Sequence, residues 1–126
     1  MKMATFTIYG RLDGLNAYTK ECRANRYAGA RLKKNNEQLV KCAAQPLIPS
    51  LTFDGKKKVH LYIDWYEKDK RRDLDNVAFA KKFIQDALVD MGVLAGDGWK
   101  YIEGFTDRFF IDKELPRVVV IIQEVA

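Results

Sequence analysis

The stretch Arg71–Trp99, RRDLDNVAFAKKFIQDALVDMGVLAGDGW, decides how the chain is read. Ala80, Phe83, Ile84, Ala87, Leu88 and Met91 recur at i, i+3, i+4 and i+7 spacing, which draws one apolar stripe along an α-helix. Ala, Lys, Gln and Leu favour that conformation, and no Pro interrupts it. Asp73, Asp75 or Asn76 can cap the first turn by accepting bonds from backbone N–H groups that lack partners inside the helix. Gly92 is expected to stop the helix, because Gly enters the left-handed region without a Cβ clash.

Acids stand at both ends of this helix. Asp73 and Asp75 precede it, and Asp97 follows in a glycine-flanked turn. With Ile84 at the centre of the stripe and a rotation of roughly 100° per residue, Lys82 and Asp86 fall on the opposite side. Asp75 joins them if the helix reaches back that far. Lys81 falls on the flank of the stripe, and Phe79 is expected to point outward. This phase places Asp75, Lys82 and Asp86 on one outward face, with Asp97 beyond the far end. Carboxylates gathered in this way are a natural place to hold a divalent metal ion.

The flanking segments supply the surface on which the helix would lie. Lys58–Tyr66 alternates as a strand, with Val59, Leu61, Ile63 and Trp65 on one side and His60, Tyr62, Asp64 and Tyr66 on the other. Ala4–Tyr9 reads as a first strand and Lys100–Phe110 as a third, with Gly104 marking a bulge or bend. Arg117–Val125 is the last strand. Its unbroken Val/Ile run predicts a central position covered on both faces. Ala17–Ala44 carries a basic helical pattern that Gly29 can bend or loosen, and Pro46 and Pro49 end it. The predicted order is β-α-β-α-β-β. That is an α+β fold in which two helices pack on a small mixed sheet of about four strands, within a single domain over residues 1–126.

Composition narrows the classes of function. At 126 residues the chain can bury a core without staples. No apolar run is long enough to span a bilayer, and MKMATFTIYG lacks a signal-peptide core, so a cytoplasmic protein is expected. Cys22 and Cys42 have no CxxC spacing and are expected to be reduced thiols. The single histidine, His60, argues against His-ligated zinc or a Ser-His triad. Net charge is +5, and the basic residues cluster. Lys20, Arg23, Arg26, Arg31, Lys33 and Lys34 crowd one segment. Lys56, Lys57, Lys58, Lys68, Lys70, Arg71 and Arg72 crowd another, which runs straight into Asp73. A basic surface around an acidic pocket suits a polyanion whose phosphate is brought to a bound metal; a solvated basic face is the plainer alternative.

Taken singly, each motif also has an ordinary explanation. Asp73 and Asp75 can simply cap a helix and oppose its dipole. Asp97 can be a turn residue, and Lys82 with Asp86 an i, i+4 surface pair. Phe79 can pack against a partner. The functional reading rests on their coincidence.

That coincidence resembles the RusA family of Holliday junction resolvases. The resemblance lies in Arg72-Asp73-Leu74-Asp75-Asn76, in Asp86-Ala87-Leu88, and in the glycine-rich turn ending in Asp97, a stretch of about a quarter of the chain. It implies a homodimeric, Mg²⁺-dependent endonuclease that cuts four-way DNA junctions in recombination and repair, with Mn²⁺ able to substitute. Asp73, Asp75 and Asp97 would be the catalytic, metal-binding acids. The family's lysine, one turn into the helix, maps to Phe79 when counted from Asp75. Counted back from Asp86-Ala87-Leu88 it maps to Lys82, with Lys81 second. Lys68, Lys70, Arg71, Arg72, Arg23 and Arg26 would contact DNA, and Asp86 and Asn76 would support the site. Phe79, with Tyr62 and Tyr66, would form a dimer contact, or Phe79 alone a wedge in the junction. Two other functions stay open: a non-catalytic protein of the same fold that binds branched DNA, and a metal-dependent nuclease of broader structural taste.

Overall fold

The computed structural model describes residues 1–126. Strand β1 (Met3–Tyr9) leads into helices α1 (Leu15–Ala24) and α2 (Ala28–Ala44), then strand β2 (Val59–Glu67). Two further helices, α3 (Leu74–Ala78) and α4 (Lys81–Asp90), precede strands β3 (Ile102–Ile111) and β4 (Arg117–Glu124). The four strands form one mixed sheet in the order β1-β4-β2-β3, antiparallel except for the parallel pair β2 and β3. The α+β class, the single domain, the four-stranded mixed sheet and the β-α-β-α-β-β order follow the sequence pattern, with each predicted helix divided in two. No helix is long and apolar enough to cross a membrane.

The helices cover one face of the sheet. Phe83, Ile84, Ala87 and Leu88 of α4 and Val40 and Ala44 of α2 are buried against Leu61, Ile63, Trp65, Val120 and Ile122. β4 is central, as its Val/Ile run predicts, but it is not covered on both faces. Val118, Val120 and Ile122 are buried, whereas Val119 and Ile121 are only half-buried on the side that carries no helix. On that open side Arg117 lies 3.8 Å over the Tyr66 ring, Tyr66 stacks on Phe110 at 4.8 Å, and Arg108 holds the buried Asp64 through two bonds of 2.8 Å. The bond from Arg108 to Asp64 raises the guanidinium's pKa.

Both helix divisions have local causes that differ from the expected ones. The break between α1 and α2 falls at Asn25, not Gly29. The Asn25 Oδ1 accepts the Tyr27 and Ala28 N–H groups, each at 2.9 Å, and so starts a new helix. Gly29 serves the crossing instead, since a Cβ there would lie 2.4 Å from the Cys22 sulfur. Between α3 and α4 the backbone switches to i→i−3 bonds, Ala80 N–H to the Val77 carbonyl and Lys82 N–H to the Phe79 carbonyl. The switch shifts the helical phase and turns Phe79 inward. Its ring sits 5.4 Å from Tyr18 and 5.6 Å from Phe83, half-buried, so the outward Phe79 expected from one continuous helix is corrected. Gly92, at φ +83°, ends α4 as expected. A bulge falls at the expected place, because His60 pairs with Gly104 while Val59 pairs with Ile102, leaving Glu103 extra.

Candidate functional site

The site grows from the end of β2. Glu67 is buried there and receives two bonds from Arg72, at 2.9 and 2.8 Å, and a longer one from Arg11 at 3.3 Å. A third Arg72 bond goes to the Leu12 carbonyl at 3.0 Å. These bonds clamp the ends of the basic loop 68–71 and aim the chain into α3. Arg72 is therefore committed within the fold and is not a free DNA contact. Asp69 accepts the Arg71 N–H at 3.0 Å, which holds its carboxyl below the ordinary range. Lys68, Lys70 and Arg71 remain exposed.

Asp73 occupies the N-cap position of α3 with an extended backbone, yet its carboxylate makes no capping bond. Asp75, in the first turn, accepts only the Asn76 N–H, at 2.9 Å. Asn76 is buried and receives the Asn16 N–H at 2.9 Å, which ties α3 to the start of α1. Gly14 makes that junction possible, since a Cβ there would stand 2.5 Å from the Asn76 Oδ1 and 2.6 Å from its carbonyl oxygen. Gly14→Ala should thus push α1 off α3 and lower stability by about 1–3 kcal/mol. Urea unfolding checks this; an unchanged midpoint would show that the junction yields freely.

Asp73 and Asp75 are both exposed, and no cation of the chain is paired with either. The nearest arginines in sequence are spent elsewhere, Arg71 toward Asp69 at 3.6 Å and Arg72 on Glu67. Two un-neutralised carboxylates two residues apart fit a hard cation such as Mg²⁺, which takes one or two carboxylates and fills its other positions with water or phosphate oxygens. Beside Asp73 a groove of about 310 Å³ opens between α3 and the end of β3.

Asp97 does not join this pair within one chain. Glu67, before the Asp73 loop, pairs with Ile111 at the tail of β3, whereas Asp97 lies ahead of Ile102 at its head. The nine residues of β2 separate the two ends by roughly 26 Å. The α3–α4 segment, Leu74 to Asp90, gives roughly the same span at 1.5 Å per residue. Accordingly, no three His, Cys, Asp or Glu side chains converge as a metal-binding group in the single chain.

The lysines part company at the start of α4. The Lys81 Nζ donates to Asp107 at 2.6 Å and lies 4.6 Å over the Phe105 ring, on the sheet side. Asp107 also accepts the Trp65 indole N–H at 2.9 Å. Lys82 is exposed and turned toward α2, 3.4 Å from Asp86. Asp86 is bridged in turn to Lys33 of α2 at 3.1 Å, and a hydrogen bond from Lys33 to Glu37 is the chief cause of that lysine's raised pKa. The shared face of Asp75, Lys82 and Asp86 does not form, because the phase shift at Phe79–Ala80 divides the helix that defined it. Asp107 escaped the sequence reading. Its signal was a carboxylate in the same strand phase as Phe105 and Phe109, the phase that faces the helices.

The basic residues fall into separate patches. Arg23 and Arg26 are exposed at the α1–α2 junction, where Arg26 lies 4.8 Å over the Tyr27 ring. Lys56–Lys58 precede β2 and Lys68–Lys70 follow it, so the second cluster occupies opposite ends of the sheet. His60 is half-buried, bonded to Glu103 and, at 2.7 Å, to Thr106. Cys22 and Cys42 are free and exposed. Neither a protein-family model nor a curated protein matches the chain.

Proposed function

We propose that this chain is a Mg²⁺-dependent endonuclease that cuts branched DNA, with four-way junctions as its substrate, as its resemblance to the RusA resolvases implies. The observation that carries the reading is the pair Asp73 and Asp75. They are exposed and un-neutralised at the head of a helix, directly after a loop of free lysines. The lysines draw a phosphate backbone toward the pair. Asp73 and Asp75 would hold the ion, which would supply charge to polarise the phosphoryl oxygens and lower the pKa of a bound water. Lys81, aimed by Asp107, supplies positive charge to the scissile phosphate. Mn²⁺ would substitute, and the enzyme would act in the cytoplasm during recombination and repair.

The separation of Asp97 from the pair gives the proposed homodimer a specific task. β3 is an edge strand, so two copies can join antiparallel through it about a two-fold axis. That arrangement sets the head of each β3 beside the tail of the other, and Asp97 of one copy beside Asp73 and Asp75 of the second. Two equivalent sites then face the two equivalent strands of a junction.

The test is a synthetic four-way junction with Mg²⁺, run beside linear duplex, flap and RNA–DNA hybrid substrates. Paired symmetric nicks in the junction alone are expected. Tight binding without nicks, in Mg²⁺ or Mn²⁺, would reduce the protein to a branched-DNA binder. Equal cutting of flaps or hybrids would make it a broader nuclease. Lys81→Ala should slow cleavage by about 100-fold and Lys82→Ala by no more than about 3-fold. Single-turnover rates decide between them, and the reverse order would return the role to Lys82.

A further inference from the structure

Trp99 is 93 % exposed, the barest large apolar side chain in the protein. It stands two residues after Asp97, in the turn ahead of β3. At the tail of the same strand lies the 310 Å³ groove, floored by Leu74, Val77, Phe109 and Ile111, with Asp69, Lys70 and Asp73 and the paired Glu67 and Arg72 as its polar lining. Leu74 and Ile111 are 59 % and 50 % exposed there. Between knob and groove runs a ten-residue edge strand that also exposes Phe105. A long unpaired edge is a template for another strand.

We propose that Trp99 of each copy is seated in the β3-tail groove of a second copy, as the anchor of an edge-to-edge homodimer. Antiparallel pairing of identical strands brings head to tail twice, so each copy offers one knob and one groove, and both are filled at once. The chemistry matches the occupant. An indole brings a broad apolar face to the apolar floor and one N–H donor to the Asp69 carboxylate on the rim. Lys100, next to Trp99, meets Asp69 with opposite charge and leaves Asp73 free. The inference rests on the dimer proposed above, and adds the contact that fixes its register. Seating Trp99 draws Asp97 across to the partner's carboxylate pair.

The experiment needs neither DNA nor metal. Sedimentation equilibrium on wild type, Trp99→Ala and Ile111→Lys should show a wild-type dimer, with the dimer dissociation constant raised roughly 30-fold or more by each substitution. Both side chains are exposed in the single chain, so circular dichroism should be unchanged in each variant. Acrylamide quenching of wild-type tryptophan emission should fall as concentration passes through the dimerisation range, leaving Trp65, already buried, as the background. A monomeric wild type, a Trp99→Ala dimer of undiminished affinity, or a Trp99 that stays quenchable in the dimer would overturn the proposal. Protection of Trp99 on adding DNA alone would assign it to a nucleobase and also overturn it. A seated Trp99 in a protein that cuts no junction leaves the dimer standing and removes the nuclease reading. Junction cutting with Trp99→Ala unaltered does the opposite.

Discussion

Asp75→Asn is expected to slow Mg²⁺-dependent junction cleavage by about 10³-fold or more while leaving fold and junction affinity in place. The one bond the Asp75 side chain makes is to the Asn76 N–H, and an asparagine oxygen accepts the same bond, so α3 should form normally. On the proposed reading, what disappears is a negative charge beside the phosphate, so metal binding would be lost and repulsion of DNA lessened. Cleavage and mobility-shift assays on one junction separate the two effects. Wild-type cutting by the variant would remove Asp75 from the metal site. Mixing tests the shared site directly. Asp75→Asn and Asp97→Asn should each be inactive alone. If each site draws on two copies, mixed dimers have one intact site and restore single-strand nicks, without paired cuts. No recovery on mixing would confine each site to one chain.

Glu67→Ala should be the most damaging single change to stability away from the apolar core. It strands Arg72 and Arg11 at a partly buried position, and breaking one side of such a cluster costs about 3 kcal/mol. The side chains of Glu67 and Arg72 are 11 % and 19 % exposed, so water recovers little of that loss. The effect also reaches the chemistry, because the clamp fixes the loop that delivers Asp73. Urea unfolding measures the first consequence, and Mg²⁺ titration of cleavage by the folded fraction measures the second. A loss below about 1 kcal/mol would place the cluster among solvent-compensated surface pairs.

The residues that shaped the sequence reading explain where it succeeded. Val59, Leu61, Ile63 and Trp65 alternate, and all four are buried. The stripe on α4 is buried from Ala80 to Leu88, and Gly92 ends it at a positive φ, because periodicity and backbone sterics act locally. The phase shift at Phe79 was not legible, since no Pro or Gly marks it and its aromatic partner Tyr18 is distant in sequence. That one shift parts Asp75 from the outward face that Lys82 and Asp86 share as expected. Glu67 reads as a surface acid at a strand end until Arg11 and Arg72 arrive from separate loops. Lys81 finds Asp107 only because β2 and β3 are parallel, which brings a strand from beyond the helix back alongside it. The distance to Asp97 was legible from helix rise alone, since a helix holds its two ends apart as firmly as it orders its faces.

The side of the sheet without helices carries a consequence for how another sheet could approach this chain. Arg117 lies over Tyr66 and is anchored by Asp112 at 2.8 Å; Arg108 is anchored by Asp64 beside Phe110. Each ring thus has an ion-paired guanidinium over it. A naked face of Val119, Ile121 and Tyr62 would invite another sheet to stack on it and bury both in a sandwich. Under that cover, face-to-face stacking would have to bury paired charges, which leaves the rim of the sheet, edged by β3 on one side and β1 on the other, as the freer surface for another strand.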